Sequence, residues 1–286
     1  MGLFSFSSKP GPGVSKDAPE KNRFFLFFEL FFRKFFKLLK LNLMYVVSLI
    51  PLLLGLYLSI NINPAIVEDV TNFSKMPLFV FSGDIIGLIL ILVSIFITGP
   101  STAGFTYVIR NFQRQEHAWV FSDYIEHFKK NYKQGVAMSL IDIVGYFMLY
   151  VALMFYVFSP SDAIAQMAPF LAAVIALLII TFMFMHYYIY TMMVTFDLKL
   201  KDILKNALLF AYAKLPLNIL ITVILGILIF FSIYFTGIGI LAYLLIGFSL
   251  YGYIITYSVY PSIDKLMISP FKTEDEEFVS DFEDNI

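Results

Sequence analysis

The segment 168–196, APFLAAVIALLIITFMFMHYYIYTMMVTF, decides the fold class of this chain. It contains no Lys, Arg, Asp or Glu, and apolar residues occupy every side of a helix built from it. A bilayer core of about 30 Å is crossed by about 20 apolar residues in helical form. In lipid, the backbone polar groups must be satisfied within the helix itself. We therefore predict a membrane-spanning helix, long enough to tilt or to extend past the bilayer.

Further apolar stretches predict an all-α, polytopic membrane protein with about six transmembrane helices. The composition agrees, since 59% of the residues are hydrophobic and 14% are charged, against about 45–50% and about 25% in soluble domains. Residues 24–262 are expected to form a single transmembrane domain. Its spans are predicted at 43–62, 78–98, 135–158, 168–196, 216–235 and 238–258, the last two forming a tight hairpin at Thr236 and Gly237.

The basic residues predict the orientation of these spans. All of the 20 Lys and Arg residues except Lys75 lie before the first span, in the loops 99–134 and 197–215, or after the last span. Cytoplasmic segments carry such an excess of positive charge. We therefore expect both termini in the cytoplasm, with residues 1–23 as a disordered leader and 263–286 as an acidic tail.

Three basic segments, 24–42, 123–134 and 200–216, each precede an odd-numbered span and each place an acid before several lysines. A basic helix with a strongly apolar face lies in the headgroup plane, so we predict three amphipathic surface helices on the cytosolic side. Two interpretations of the layout stay open. The chain holds three copies of one unit (surface helix, outward helix, returning helix), or basic residues simply flank every inward end.

The stretch Gly99-Pro100-Ser101-Thr102-Ala103-Gly104 stands where the second predicted span leaves the membrane. Proline is tolerated at the first position of a helix, so we predict a break at Gly99 and a new helix over 100–115. This elbow is either a docking or ligand-contact site, since helix N-termini attract anions, or a corner packed on neighbouring helices. The candidate interface comprises Gly99, Pro100, Ser101, Thr102, Gly104, Arg110 and Arg114.

Acids inside spans are the other functional candidates, because charge is costly there. Asp142 lies in the third predicted span and Asp84 in the second. Asp142 is expected to relay a proton, bind a cation or pair with Arg110 or Arg114, unless it only makes a structural bond between helices. Gly83 and Gly87 form a small-residue interface, which favours internal packing but leaves a homo-oligomer open.

Several functional classes find no support in the residues. The chain has no cysteine, which excludes thiolate metal sites and cysteine nucleophiles, and its three histidines lack metal-ligand spacing. Catalytic and phosphate-binding motifs are absent from the sequence. A net charge of −1 gives no basic field for nucleic acid. We therefore expect a protein without cofactor, metal or catalytic residues, whose surroundings are the lipid bilayer.

The elbow carries a family resemblance. Residues 99–104 with Tyr107-Val108-Ile109-Arg110, then 121–124 and 128–134, resemble the YesL-type integral membrane family of Gram-positive bacteria, whose function is unknown. The similarity in layout covers about 40–210, and the phenylalanine-rich leader and the acidic tail lie outside it. The resemblance implies the plasma membrane of a Gram-positive bacterium and a role near carbohydrate uptake, because such proteins are often encoded beside sugar ABC importers.

Two functions therefore compete. The first is a non-enzymatic accessory or assembly protein that binds ABC importer permease subunits. The second is a transporter or channel for a small solute, which Asp142 and the repeats motivate. An importer permease itself is disfavoured, because the segment 202–216 lacks the glycine of a permease coupling loop. A membrane enzyme would need clustered polar groups at one face, and only Arg110, Arg114 and His117 come near to this.

Overall fold

The structure is a computed structural model that describes residues 22–61, 85–157 and 162–270. Helices make up nearly all of these residues, and no strand occurs among them. The α-helices are α1 (Arg23–Asn61), α2 (Ile85–Gln113), α3 (Val120–Lys130), α4 (Tyr132–Val157), α5 (Asp162–Met193), α6 (Leu200–Ala213), α7 (Leu215–Tyr234), α8 (Thr236–Ala242) and α9 (Phe248–Ile263). The π-helical turns Tyr243–Gly247 and Asp264–Ile268 follow α8 and α9.

Six of these helical stretches in the described part of the chain are long and apolar enough to cross a bilayer. The all-α, six-span fold class is therefore confirmed. The acidic residues from Glu274 onward and the leader 1–21 lie outside the described residues. The six stretches are Arg23–Leu58, Ile85–Gln113, Tyr132–Leu153, Gln166–Met193, Leu215–Tyr234 and Thr236–Ile268.

The first predicted surface helix does not exist as a separate element. Residues 24–42 continue without interruption into the first span as part of α1, whose 39 residues extend over about 58 Å. No Gly or Pro interrupts this stretch, and its leucine face is covered by protein, with Leu30, Leu38 and Leu41 fully buried. The prediction of a helix lying in the headgroup plane failed because α2 and α9 supply a packing surface for that face.

The second and third predicted surface segments do form separate short helices. They are α3 and α6, and each precedes a pair of long helices. The order of short helix, span and returning span therefore appears in the second and third units. In the first unit the short helix is fused to its span.

The predicted break at Gly99 is also wrong, since α2 continues through Pro100 to Gln113. Transmembrane helices tolerate proline within their length. Here the Gly99 N–H donates to Ser139 Oγ of α4 at 2.9 Å. The two helices cross at glycines, because a Cβ on Gly135 would lie 2.5 Å from the Pro100 nitrogen and 2.8 Å from the Gly99 carbonyl carbon. The small residues serve a close helix crossing rather than a turn.

Asn42 joins the first and last spans. Its side-chain Nδ2 donates to the Leu244 carbonyl at 2.6 Å, and its Oδ1 accepts from the Ser249 N–H at 2.8 Å. A π-helical turn misdirects such backbone groups, and an inserted side chain then satisfies them. Ser249 Oγ in turn donates to the Leu38 carbonyl at 2.8 Å. These bonds fix α1 against the last helix at the π-helical turn.

Candidate intramembrane site

Asp142 of α4 and His186 of α5 form a polar pair between two long apolar helices. His186 Nε2 lies 2.7 Å from Asp142 Oδ1, and both side chains are about four-fifths buried. His186 Nδ1 lies 2.7 Å from the carbonyl oxygen of Phe182, one turn earlier in α5. Asp142 therefore pairs with His186 and not, as one sequence interpretation had it, with Arg110 or Arg114.

The hydrogen bonds determine how many protons the pair holds. The Phe182 carbonyl only accepts, so His186 Nδ1 must carry a hydrogen. The short contact between Nε2 and Oδ1 then requires one further proton between them. The pair is consequently either an imidazolium with a carboxylate or a neutral imidazole with a carboxylic acid. Both forms have zero net charge, and removal of the shared proton leaves one negative charge inside the bundle.

A cavity of about 420 Å³ lies beside this pair. Its volume is within the range of small-molecule sites. Helices α1, α2, α4 and α5 contribute its walls, and hydroxyl groups and aromatic rings are frequent among the lining side chains. The lining consists of Tyr45, Leu49, Leu52, Ser94, Thr98, Gly99, Thr102, Ser139, Asp142, Ile143, His186 and Tyr190.

Hydrogen bonds between helices hold several of the lining hydroxyls in place. Tyr45 Oη lies 3.0 Å from Thr102 Oγ1, which joins α1 to α2. Ser139 Oγ accepts from the Gly99 N–H and lies 3.2 Å from Thr98 Oγ1. Because Ser139 precedes Asp142 by one helical turn, the α2–α4 crossing also sets the position of the carboxyl group.

The structure places part of the predicted elbow in this site. Gly99 and Thr102 line the cavity together with Asp142, which the sequence analysis had treated as a separate candidate. Pro100 and Ser101 are buried, and Gly104 packs directly against the Tyr124 carbonyl of α3. Their role as a docking interface stays a prediction, and their burial within the chain gives it no support.

The two arginines of the elbow face other partners. Arg110 is buried and donates to the Val194 carbonyl at 2.6 Å. Arg114 pairs with Glu116 at 2.7 Å on the surface. Neither reaches the Asp142 cavity, so the candidate set divides between two places in the fold.

Of the small-residue pair Gly83 and Gly87 in the second predicted span, only Gly87 lies in the described part of the chain. Gly87 packs against α1, because a Cβ on Gly55 would lie 2.8 Å from the Gly87 carbonyl oxygen. This contact is within the chain. Gly83 and Asp84 lie outside the described residues. Within the described ranges, no group of three or more His, Asp and Glu side chains is arranged to hold a metal ion.

His186 is the site residue that sequence reasoning missed. From the sequence it is considered only as one of three histidines without metal-ligand spacing, although one signal pointed to Asp142. The third and fourth predicted spans are consecutive and therefore antiparallel, and each holds one of these two ionisable residues at a similar depth from the predicted cytosolic end. What the sequence does not contain is the rotation of each helix, which decides whether two such side chains face each other.

Comparison with known proteins gives one match. Residues 76–153 match the family model DUF624, described as a protein family of unknown function. This region includes α2, α3 and the Asp142 half of the pair, and excludes His186. No curated protein and no solved structure matches the chain significantly. Over residues 76–153, the chain is thus similar to a family of proteins whose function has not been determined.

Proposed function

We propose that this chain is a YesL-type membrane protein that carries a small polar solute, in exchange for a proton, through the cavity beside Asp142 and His186. The observation that supports the proposal is the hydrogen-bonded pair of ionisable side chains beside a cavity between α1, α2, α4 and α5. Ionisable groups in a span are costly, and mark substrate or proton pathways in many membrane proteins. In this proposal the termini are cytoplasmic, and the membrane is the plasma membrane of a Gram-positive bacterium.

The chemistry of the lining favours a polyhydroxylated solute such as a sugar. Hydroxyl groups both donate and accept hydrogen bonds, and they surround the cavity on α1, α2 and α4. The rings of Tyr45 and Tyr190 add apolar surface of the kind that covers the C–H groups of a sugar ring. A carbohydrate is also the solute class that the family resemblance implies.

The Asp142–His186 pair couples solute binding to proton release. With the shared proton the site is neutral, and without it the site carries one negative charge that the low-dielectric surroundings oppose. A solute hydroxyl that donates to Asp142 would stabilise the deprotonated carboxylate. Solute binding and proton release are therefore linked at the same oxygen atoms.

The test is uptake by the full chain in proteoliposomes under an imposed pH gradient. A panel of labelled sugars is compared between wild type, Asp142→Asn and a matched acid-to-amide control, Asp202→Asn, on the exposed side of α6. Asparagine keeps a hydrogen bond to neutral His186 but cannot give up a proton. We expect gradient-driven uptake to be lost in Asp142→Asn and kept in Asp202→Asn. Equal uptake by both variants would refute proton coupling at this site.

A second function is an accessory protein of a sugar ABC importer. One observation favours it: the N-terminal part of α1 exposes a row of phenylalanines, including Phe36 at 83%. Apolar surface of this kind marks contacts with a membrane or a partner protein. The other members of the row are Phe24, Phe25, Phe28 and Phe32.

The accessory function is tested by affinity purification from the native membrane in mild detergent. Stoichiometric recovery of permease subunits, lost when Phe32 and Phe36 are changed to Ser, would establish it. Recovery of the chain without permease subunits, together with solute uptake in proteoliposomes, would refute the accessory function and support the carrier function.

A further inference from the structure

A second and larger cavity, of about 1080 Å³, lies at the opposite end of α5 from its N-terminus. The end of α3, the start of α4 and the turn after α5 form its walls, and the predicted orientation puts it in the cytosol. Among the described residues that line it, three are lysines and one is an acid, Asp197. The lining consists of His127, Lys129, Lys130, Asn131, Tyr132, Lys133, Gln134, Met193, Val194, Thr195, Phe196 and Asp197.

His127 stands in the wall of this cavity and has a buried nitrogen without a hydrogen-bond partner among the described residues. The side chain is only 7% exposed, and the nitrogen in question is Nδ1. Its ring stacks on the Tyr107 ring with centroids 3.3 Å apart. Burial lowers the pKa of His127, so the ring is neutral at pH 7. A polar atom that stays unpaired in a buried site carries a free-energy cost.

Arg110 adds a buried positive charge behind the cavity wall. It is 7% exposed and has no carboxylate within ion-pair distance among the described residues. Its donors go to neutral acceptors, the Val194 carbonyl at 2.6 Å and the Thr195 hydroxyl at 3.3 Å, and both residues line the cavity. A buried charge without a counter-charge is unfavourable. An anion in the cavity would lower that cost.

These features select the chemical class of the ligand. The three lysines exceed the single acid by two charges, and Arg110 contributes a third. A phosphate monoester carries a charge of about −1.5 to −2 and has three strong acceptor oxygens. The cavity is large enough for the group esterified to the phosphate as well.

We propose that the cavity between α3, α4 and the turn after α5 binds a phosphate monoester, with Lys129, Lys130 and Lys133 contacting the phosphate oxygens. Two sources share this chemistry, a soluble phosphorylated metabolite and the headgroup of a lipid such as phosphatidic acid. The site is separate from the Asp142 cavity, and the inference does not depend on the carrier function.

The test titrates the purified full chain in phosphatidylcholine nanodiscs by calorimetry, once with phenyl phosphate and once with short-chain phosphatidic acid. We expect binding of at least one probe, weakened about tenfold or more when Lys129, Lys130 and Lys133 are all changed to Gln. The matched control changes Lys201, Lys205 and Lys214 of α6 and the following turn to Gln. It removes the same charge outside the cavity and should stay within about threefold of wild type.

A gain-of-binding variant protects the test against misfolding. Asp197→Asn removes the acid from the cavity and should tighten binding by about threefold, which no loss of structure would produce. Binding of phenyl phosphate assigns a soluble ligand, and binding of phosphatidic acid alone assigns a lipid headgroup. Failure of both probes to bind, or equal weakening by the two triple variants, would overturn the proposal.

Discussion

Gly135→Ala should destabilise the chain through one helix crossing. A Cβ on Gly135 would lie 2.5 Å from the Pro100 nitrogen and 2.8 Å from the Pro100 Cα. These are backbone atoms, which a rotamer change cannot move, so α2 and α4 must separate. Overpacking of this kind costs about 1–3 kcal/mol.

Two further effects enter the estimate. Separation of the helices weakens the bond from the Gly99 N–H to Ser139 Oγ, a loss of about 0.5–1.5 kcal/mol. Replacing glycine by alanine raises the free energy of unfolding by about 1 kcal/mol, because the alanine backbone is less flexible in the unfolded chain. The net loss is about 0.5–3.5 kcal/mol. At about 2–4 °C per kcal/mol for chains of similar size, the apparent melting temperature falls by about 1–14 °C.

The chain supplies its own control, since a Cβ on Gly226 of α7 would meet nothing within 4 Å. Gly226→Ala should therefore melt at or slightly above the wild-type temperature. The assay heats each variant in dodecylmaltoside and measures the monodisperse fraction by size-exclusion chromatography. If Gly135→Ala survives heating as well as Gly226→Ala does, the helices do not cross at these glycines and the reasoning fails.

Three other predictions concern single side chains. Asn42→Leu should lower the stability in detergent by about 2 kcal/mol or more, because the Leu244 carbonyl and the Ser249 N–H lose their partners; unchanged melting would contradict this. Gln115 has φ of 59°, so Gln115→Gly should raise stability by up to about 1 kcal/mol and Gln115→Val should lower it. His127 has a lowered pKa in the folded chain, so the unfolded chain binds more protons below pH about 6.5. Stability should consequently fall as the pH drops through that region, and His127→Gln should flatten the melting curve against pH.

The sequence predicts the all-α class and the six long apolar helices, because the hydrocarbon core imposes a length and a composition on each helix. The predictions from sequence fail where a local pattern favours one structure and a contact between helices favours another. The stretch 24–42 has the composition of a surface helix, yet its buried leucines pack against other helices. Gly99 and Pro100 form a helix-breaking dipeptide, yet α2 continues through them and packs against Gly135 and Ser139 of α4. Neither partner is adjacent in sequence, so no local pattern could reveal it.

The same crossing explains why half of the candidate site was predictable. Asp142 was selected because a carboxyl group in a span is costly, which is a property of one residue and its span. Its partner and its cavity depend on helix rotation, which the Gly99–Gly135 contact and the Ser139 hydrogen bonds fix one turn away. A substitution that shifts α2 against α4 at this crossing should therefore disturb the Asp142 cavity, although the substituted residue does not line that cavity. On this reasoning Gly135→Ala impairs solute uptake at temperatures where the chain is still folded, and Gly226→Ala does not.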